Sequence, residues 1–182
     1  MRLFIALGFS EENKDQLYSV TKQLRGQALQ GNTTKKENLH LTLAFIGEVP
    51  NPVYKKTCAV MDVLTAEPFE MVFDRFGKFN QQEGTLYWIG SGKNPALESL
   101  QKKLITALKQ NQIPVDEKTF RPHITLGRRM VMEDGFSEAA FGEKLVPIRQ
   151  KVTSVSLMKS ERIGGKLVYT EVYKRKFPVT IR

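Results

Sequence analysis

The chain has 182 residues, 41% of them hydrophobic and 26% charged, with a formal net charge of +9. These proportions exclude a disordered or fibrous protein and suit a globular chain large enough to bury a core without staples. The excess of lysine and arginine favours polyanionic partners such as nucleic acid, and a single cysteine, Cys58, excludes an internal disulfide framework and a CxxC metal knuckle. No apolar run approaches membrane-spanning length, so no membrane partner is expected. The apolar N-terminus, residues 1–9, is too short for a signal peptide and runs into charge. A cytoplasmic monomer in a reducing compartment is therefore expected.

Residues 2–9 read as a strand, and Ser10 before Glu11 and Glu12 predicts a helix N-cap with acidic residues in the first turn. Leu17, Val20, Leu24 and Ala28 recur at helical spacing, which carries this helix to about residue 29, ahead of a polar loop over 31–36. A strand follows, ending near Gly47. Asn51-Pro52 then predicts a capped helix whose buried stripe is Val53, Thr57, Val60 and Leu64; Cys58 falls within it and is expected to pack. Phe69 to Phe73 reads as a strand, continued after a bend through Phe79, and a turn over 81–84 leads into the strand Leu86–Ile89. Asn94-Pro95 repeats the cap signal before Leu97, Leu100, Leu104 and Leu108, and Pro114 ends that run. After a further strand, a short helix is expected over 137–145. Strands at 152–158 and 167–173 are joined by Gly164-Gly165, a hairpin signal.

Both histidines of the chain fall in one pattern used twice: Asn-Leu-His-Leu-Thr-Leu over 38–43 and Arg-Pro-His-Ile-Thr-Leu over 121–126. In a strand, His40 and Thr42 share one face while Leu41 and Leu43 share the other, and His123 and Thr125 likewise oppose Ile124 and Leu126. A lone strand histidine is ordinarily structural, but a second copy that uses the only other histidine argues for a shared task. Phe4 precedes His40 by 36 residues and Tyr87 precedes His123 by 36. Each interval holds strand, capped helix, loop and motif strand. The chain is thus one α/β unit duplicated at an offset of 83, a pseudo-twofold pair with the motif strands expected face to face across a cleft. No Ser/Gly/Pro-rich linker separates the halves, so residues 1–182 are expected to form a single bilobal domain.

Imidazole acts as acid or base near neutrality. Two of them approaching one group from opposite sides supply a base for the attacking oxygen and an acid for the leaving oxygen of an in-line displacement at phosphorus. The threonine hydroxyls can hold non-bridging oxygens, and no metal or cofactor is required. Metal ligation competes weakly: no thiolate is near, and Glu37 stands an odd number of positions from His40, pointing away on a regular strand. A Ser-His-Asp triad leaves one histidine unexplained, and no P-loop or GxGxxG provides a nucleotide cradle. Of three basic clusters, Lys35-Lys36, Arg128-Arg129 and Lys174-Arg175-Lys176, the first two flank the motifs and point to an anionic ligand there.

The paired tetrads His40–Leu43 and His123–Leu126 resemble those of the two-histidine phosphoesterase superfamily. With the N-terminal Arg-Leu-Phe-Ile-Ala-Leu, the extended motifs Asn-Leu-His-Leu-Thr-Leu-Ala-Phe-Ile-Gly and Arg-Pro-His-Ile-Thr-Leu-Gly-Arg are similar to those of the bacterial and archaeal RNA 2′,3′-cyclic phosphodiesterases, once described as 2′-5′ RNA ligases. The resemblance implies a bilobal α+β fold, an antiparallel sheet with flanking helices in each lobe, and a central cleft. It further implies metal-independent opening of terminal 2′,3′-cyclic phosphates of RNA to 2′-phosphates. By this resemblance His40 matches the proton donor, His123 the proton acceptor, and Thr42 and Thr125 the phosphate contacts. Phe45 and Arg128, each five positions after its histidine, match residues that sandwich the terminal base. Five is odd, so both would face away on regular strands unless a bulge at Ala44 or Gly127 reverses them; core packing is the other role open to Phe45. Ligation of RNA halves and RNA binding without catalysis are the alternative functions. The segment 130–147 shows no match.

Overall fold

The computed structural model describes residues 1–178; the last four residues of the expected domain lie outside the described residues. The first half of the chain runs β1 (Arg2–Leu7), α1 (Glu11–Arg25), β2 (Ala28–Thr33), a 3-10 turn at Lys36–Asn38, β3 (Leu41–Glu48), α2 (Asn51–Asp62) and β4 (Phe69–Gln81). The second runs β5 (Gly84–Ser91), α3 (Pro95–Gln110), β6 (His123–Met132), α4 (Glu138–Glu143), β7 (Ile148–Val152), β8 (Ser154–Ile163) and β9 (Lys166–Lys176).

The predicted caps close the two long helices. The Asn13 N–H donates to Ser10 Oγ at 3.2 Å and the Leu97 N–H to Asn94 Oδ1 at 3.0 Å, each satisfying a donor that the first helical turn leaves free. The leucine stripes then turn inward: Leu17 and Leu24 on α1 and Leu97, Leu100, Leu104 and Leu108 on α3 are buried against Leu3, Ile5, Leu41 and Ile124 of the sheet. α2 buries Thr57, Val60 and Met61, with Val53 and Cys58 only half-buried. The expected bend in β4 is a bulge near Asp74, after which pairing with β5 resumes.

Two strands differ from expectation. α1 stops at Arg25, and Ala28–Thr33, read as helix end and polar loop, is β2, paired to β6 through Ala28–Met132, Asn32–Arg128 and Thr33–Gly127. Residues 148–151, with no strand signal, join Val152, read as the start of the next strand, to form β7 against β4. Both are short edge strands whose conformation comes from hydrogen bonds to a partner about a hundred or about eighty residues distant, which local propensity does not encode.

The nine strands among the described residues form one antiparallel sheet in the order β7-β4-β5-β6-β3-β1-β8-β9, with β2 also on β6. β3 and β6 meet at the single pair Leu41–Ile124, dividing the sheet into two halves. The motif strands are therefore joined edge to edge at this one pair rather than set face to face. Each half contains two strands from the other repeat: β2 and β4 lie with β5 and β6, and β8 and β9 lie with β1 and β3. β4, at the end of the first repeat, pairs with β5, while β8, its counterpart in the second, pairs with β1.

Candidate active site

His40 ends the 3-10 turn region just before β3, and His123 opens β6. Each imidazole is held the same way. His40 Nδ1 lies 2.7 Å from the Asn38 carbonyl and His123 Nδ1 lies 2.6 Å from the Arg121 carbonyl, two residues back in both motifs. A carbonyl only accepts, so in both rings Nδ1 carries the hydrogen and Nε2 is left to exchange protons. In the neutral ring His40 Nε2 accepts from Thr42 Oγ at 3.0 Å. The antiparallel pair Leu41–Ile124 brings the two motifs together, and His40, Thr125 and Arg128 line one cavity of about 540 Å³. His123, Thr42 and Phe45 stand outside that lining.

A bulge restores the odd-numbered residues to the site. In β3, Thr42 pairs with Ala6 but Ala44 with Ile5, so Leu43 and Ala44 both turn into the core and Phe45 returns opposite Phe4. The Phe4 ring in turn lies 4.8 Å from that of His40, which puts Phe45 on the site face, half-buried under the Arg2 guanidinium at 5.2 Å. β6 repeats the device: Thr125 pairs with Trp88 and Gly127 with Tyr87, Leu126 and Gly127 are buried, and Arg128 emerges 3.4 Å from Thr125 Oγ.

Burial pushes the His40 imidazole down from 6.5 to about 4, with the positive Arg128 and His123 adding to the effect against the Asn38 carbonyl. Burial, with Arg128 again, also lowers His123, although the Arg121 carbonyl opposes it. Both shifts favour the neutral ring. An anion bound between Arg128 and the imidazoles removes part of this penalty and favours a proton on the ring it touches.

Sequence reasoning missed the residues that frame the rings. Tyr169 of β9 meets His40 edge-on at 5.1 Å, and Phe79 of β4 meets His123 edge-on at the same 5.1 Å. The residue two before each histidine also grips the strand that supplies its aromatic partner. Asn38 Nδ2 donates to the Leu167 carbonyl at 3.0 Å, two residues from Tyr169, and the Arg121 guanidinium lies 5.7 Å over the Phe79 ring. The alternation Leu167, Tyr169, Glu171 assigns Tyr169 a face, but only the pairing of the hairpin with the rest of the sheet carries it to His40. Of the basic clusters, Lys35 and Arg128-Arg129 line the cavity that His40 shares with Thr125, whereas Lys174 is ion-paired to Glu171 at 3.0 Å in a second cavity that also reaches His40. Among the described residues no group of three or more His, Cys, Asp or Glu side chains stands where it could hold a metal ion, and no helix is long and apolar enough to cross a membrane.

Known proteins share this architecture. The RNA 2′,3′-cyclic phosphodiesterase of Thermotoga maritima is 27% identical over 97% of this chain and 96% of its own. That of Archaeoglobus fulgidus is 31% identical over 70% of this chain and 72% of its own. The crystal structure of E. coli LigT complexed with 3′-AMP superposes with a TM-score of 0.80 at 24% identity over 97% of both chains, and that of TT0787 of Thermus thermophilus with 0.75 at 25% identity over 99% and 100%. The family model of the 2′-5′ RNA ligase superfamily matches residues 13–164, so the chain belongs to that superfamily.

Proposed function

We propose that the protein opens the terminal 2′,3′-cyclic phosphate of RNA to a 2′-phosphomonoester by paired acid and base catalysis, residues 1–182 acting as one bilobal monomer in the cytoplasm. The observation that carries the reading is the duplicated hold on the two imidazoles, each with Nδ1 on a carbonyl and Nε2 left for proton exchange. The relatives named for this activity over nearly the whole chain support it.

In this reading water attacks phosphorus opposite O3′, and His123 Nε2 takes its proton. The P–O3′ bond breaks, and His40 Nε2–H delivers a proton to the departing O3′, leaving the phosphate on O2′. Thr42, Thr125 and Arg128 hold the non-bridging oxygens as charge shifts onto them, and Phe45 with Arg128 flanks the terminal base. Because burial favours the neutral His40 ring, the substrate's own phosphate charge helps to recruit the proton that His40 later donates.

The test is incubation of an oligonucleotide ending in a 2′,3′-cyclic phosphate with the purified protein in EDTA. The expected product is one water heavier and carries a 2′-phosphate. A 3′-phosphate, or turnover that requires added metal, overturns the proposal; ligation of RNA halves would appear as a longer 2′-5′-linked product.

A further inference from the structure

The cavity that begins at His40, Thr125 and Arg128 extends well past the reacting groups. It runs between residues 32–35 at the end of β2 and the tip of the β8–β9 hairpin. Lys35, Arg128, Arg129, Arg162 and Lys166 line it against one carboxylate, Glu83, and that carboxylate is already paired with Arg129. Among the described residues Lys35, Arg162 and Lys166 make no ion pair with the carboxylate that shares their cavity, and Arg162 spends one N–H on the Gly165 carbonyl at 3.1 Å.

A second cavity of about 530 Å³ adjoins the other side of His40 and Tyr169, with a different balance. Its Lys14, Lys151 and Lys174 face Glu37 and Glu171; Lys14 is bound to Glu11 and Lys174 to Glu171. Of the two spaces that open from the same histidine, only the first holds a surplus of uncompensated cations. A surplus of this kind in a groove joined to the reacting centre fits a polyanion threaded into the site. The hairpin tip is turned by Gly164 and Gly165, both at positive φ, which leaves Leu167 on the cavity wall beside Lys166, an apolar surface next to the charge.

We propose that this cavity is the track for the RNA strand leading to the reacting terminus, with Lys35, Arg129, Arg162 and Lys166 contacting the phosphates that precede the terminal nucleotide. The inference rests on the RNA-end reading above and adds to it a chain-length preference set by the hairpin. In this assignment the motif residues and Arg128 act on the reacting phosphate, and these four side chains act on strand affinity.

The experiment compares wild type with an Arg162→Ala/Lys166→Ala variant on a 2′,3′-cyclic mononucleotide and on a tetranucleotide with the same end, across salt concentrations. Wild type should favour the tetranucleotide, with the steeper salt dependence. The variant should keep its mononucleotide kcat/KM but lose tetranucleotide kcat/KM, its log–log salt slope becoming shallower by about 1.4 for two lost single-strand phosphate contacts. Equal kcat/KM of wild type on both substrates, or equal losses on both in the variant, overturns the track. If wild type turns over neither substrate, the catalytic proposal falls instead, and binding of a 2′-phosphate-ended tetranucleotide then judges the track: the same affinity for wild type and variant rejects it.

Discussion

His40 and His123 have one chemistry and opposite duties, and what separates them lies in the atoms around each ring. Since each serves a different proton of one displacement, His40→Ala and His123→Ala should each lower kcat by about 10²- to 10⁴-fold, and the double variant should be little worse than the poorer single. Near-normal turnover by either single variant removes that residue from the mechanism. Asn38 acts one step further back: its side chain ties the hairpin bearing Tyr169 to the motif strand. Asn38→Ala should cost about 1 kcal/mol of stability and lower kcat more than it changes KM, and Asn38→Asp should not rescue, because a carboxylate cannot donate to the Leu167 carbonyl.

The depressed His40 value has a definite sign. Near pH 7 the ring is neutral folded and unfolded; as pH falls from 6.5 toward about 4 the unfolded chain takes up the proton first, so stability is lost through that window, up to about 3 kcal/mol. Urea melts at pH 7 and pH 4.5 should show the loss in wild type and a smaller one in His40→Asn. Both imidazoles being lowered, kcat/KM should trace a bell with its maximum on the acid side of 6.5, its limbs belonging to the pair, while kcat, read in the complex where the phosphate favours the protonated ring, should peak at higher pH. A kcat/KM maximum above pH 7.5, or profiles that coincide, contradicts this assignment.

At the scale of elements, the matched bulges in β3 and β6 let one strand anchor a core with adjacent buried residues and still present His, Thr and a fifth-position side chain to one face. The bulge was legible as a possibility in the small Ala44 and Gly127, but its occurrence depends on register with β1 and β5. β2 shows how an unpromising hexamer becomes a strand. Gly31 takes φ +128, and a Cβ there would stand 2.4 Å from Met130 Sδ and 2.8 Å from Met130 Cα, so only glycine lets β2 lie against β6. Gly31→Ala should destabilise by about 1 to 3 kcal/mol and, by loosening residues 32–35, reduce kcat/KM on an oligonucleotide more than on a cyclic mononucleotide. Equal effects on the two substrates, or an unchanged melt, would show that β2 does not wall the site.

For the whole molecule, the exchange of β4 and β8 between repeats is the decisive feature. Residues 1–83 lack the β8 and β9 that complete their half-sheet, and residues 84–182 lack β2 and β4. The duplicated units should therefore unfold together: calorimetry should give one transition with equal calorimetric and van't Hoff enthalpies, and either half expressed alone should show no cooperative melt. Two resolved transitions, or a half that folds by itself, would mean that the exchanged strands do not couple the lobes.

What the sequence determined by itself is what repeats locally. Capped helices with leucine at helical spacing, alternating motif strands, the offset of 83 and the two histidines with their threonines are all readable within windows of a few dozen residues, because propensity, capping and amphipathic period are short-range. Tertiary structure alone decided the pairings that cross the repeats: the edge strands β2 and β7, the exchange of β4 and β8, the arrival of Tyr169 and Phe79 at the imidazoles, and the neighbourhood of Arg162 and Lys166 with Arg128. These rest on backbone hydrogen bonds and burial between residues far apart in the chain, and the desolvation that drives His40 down to about 4 exists only once those neighbours have closed around it.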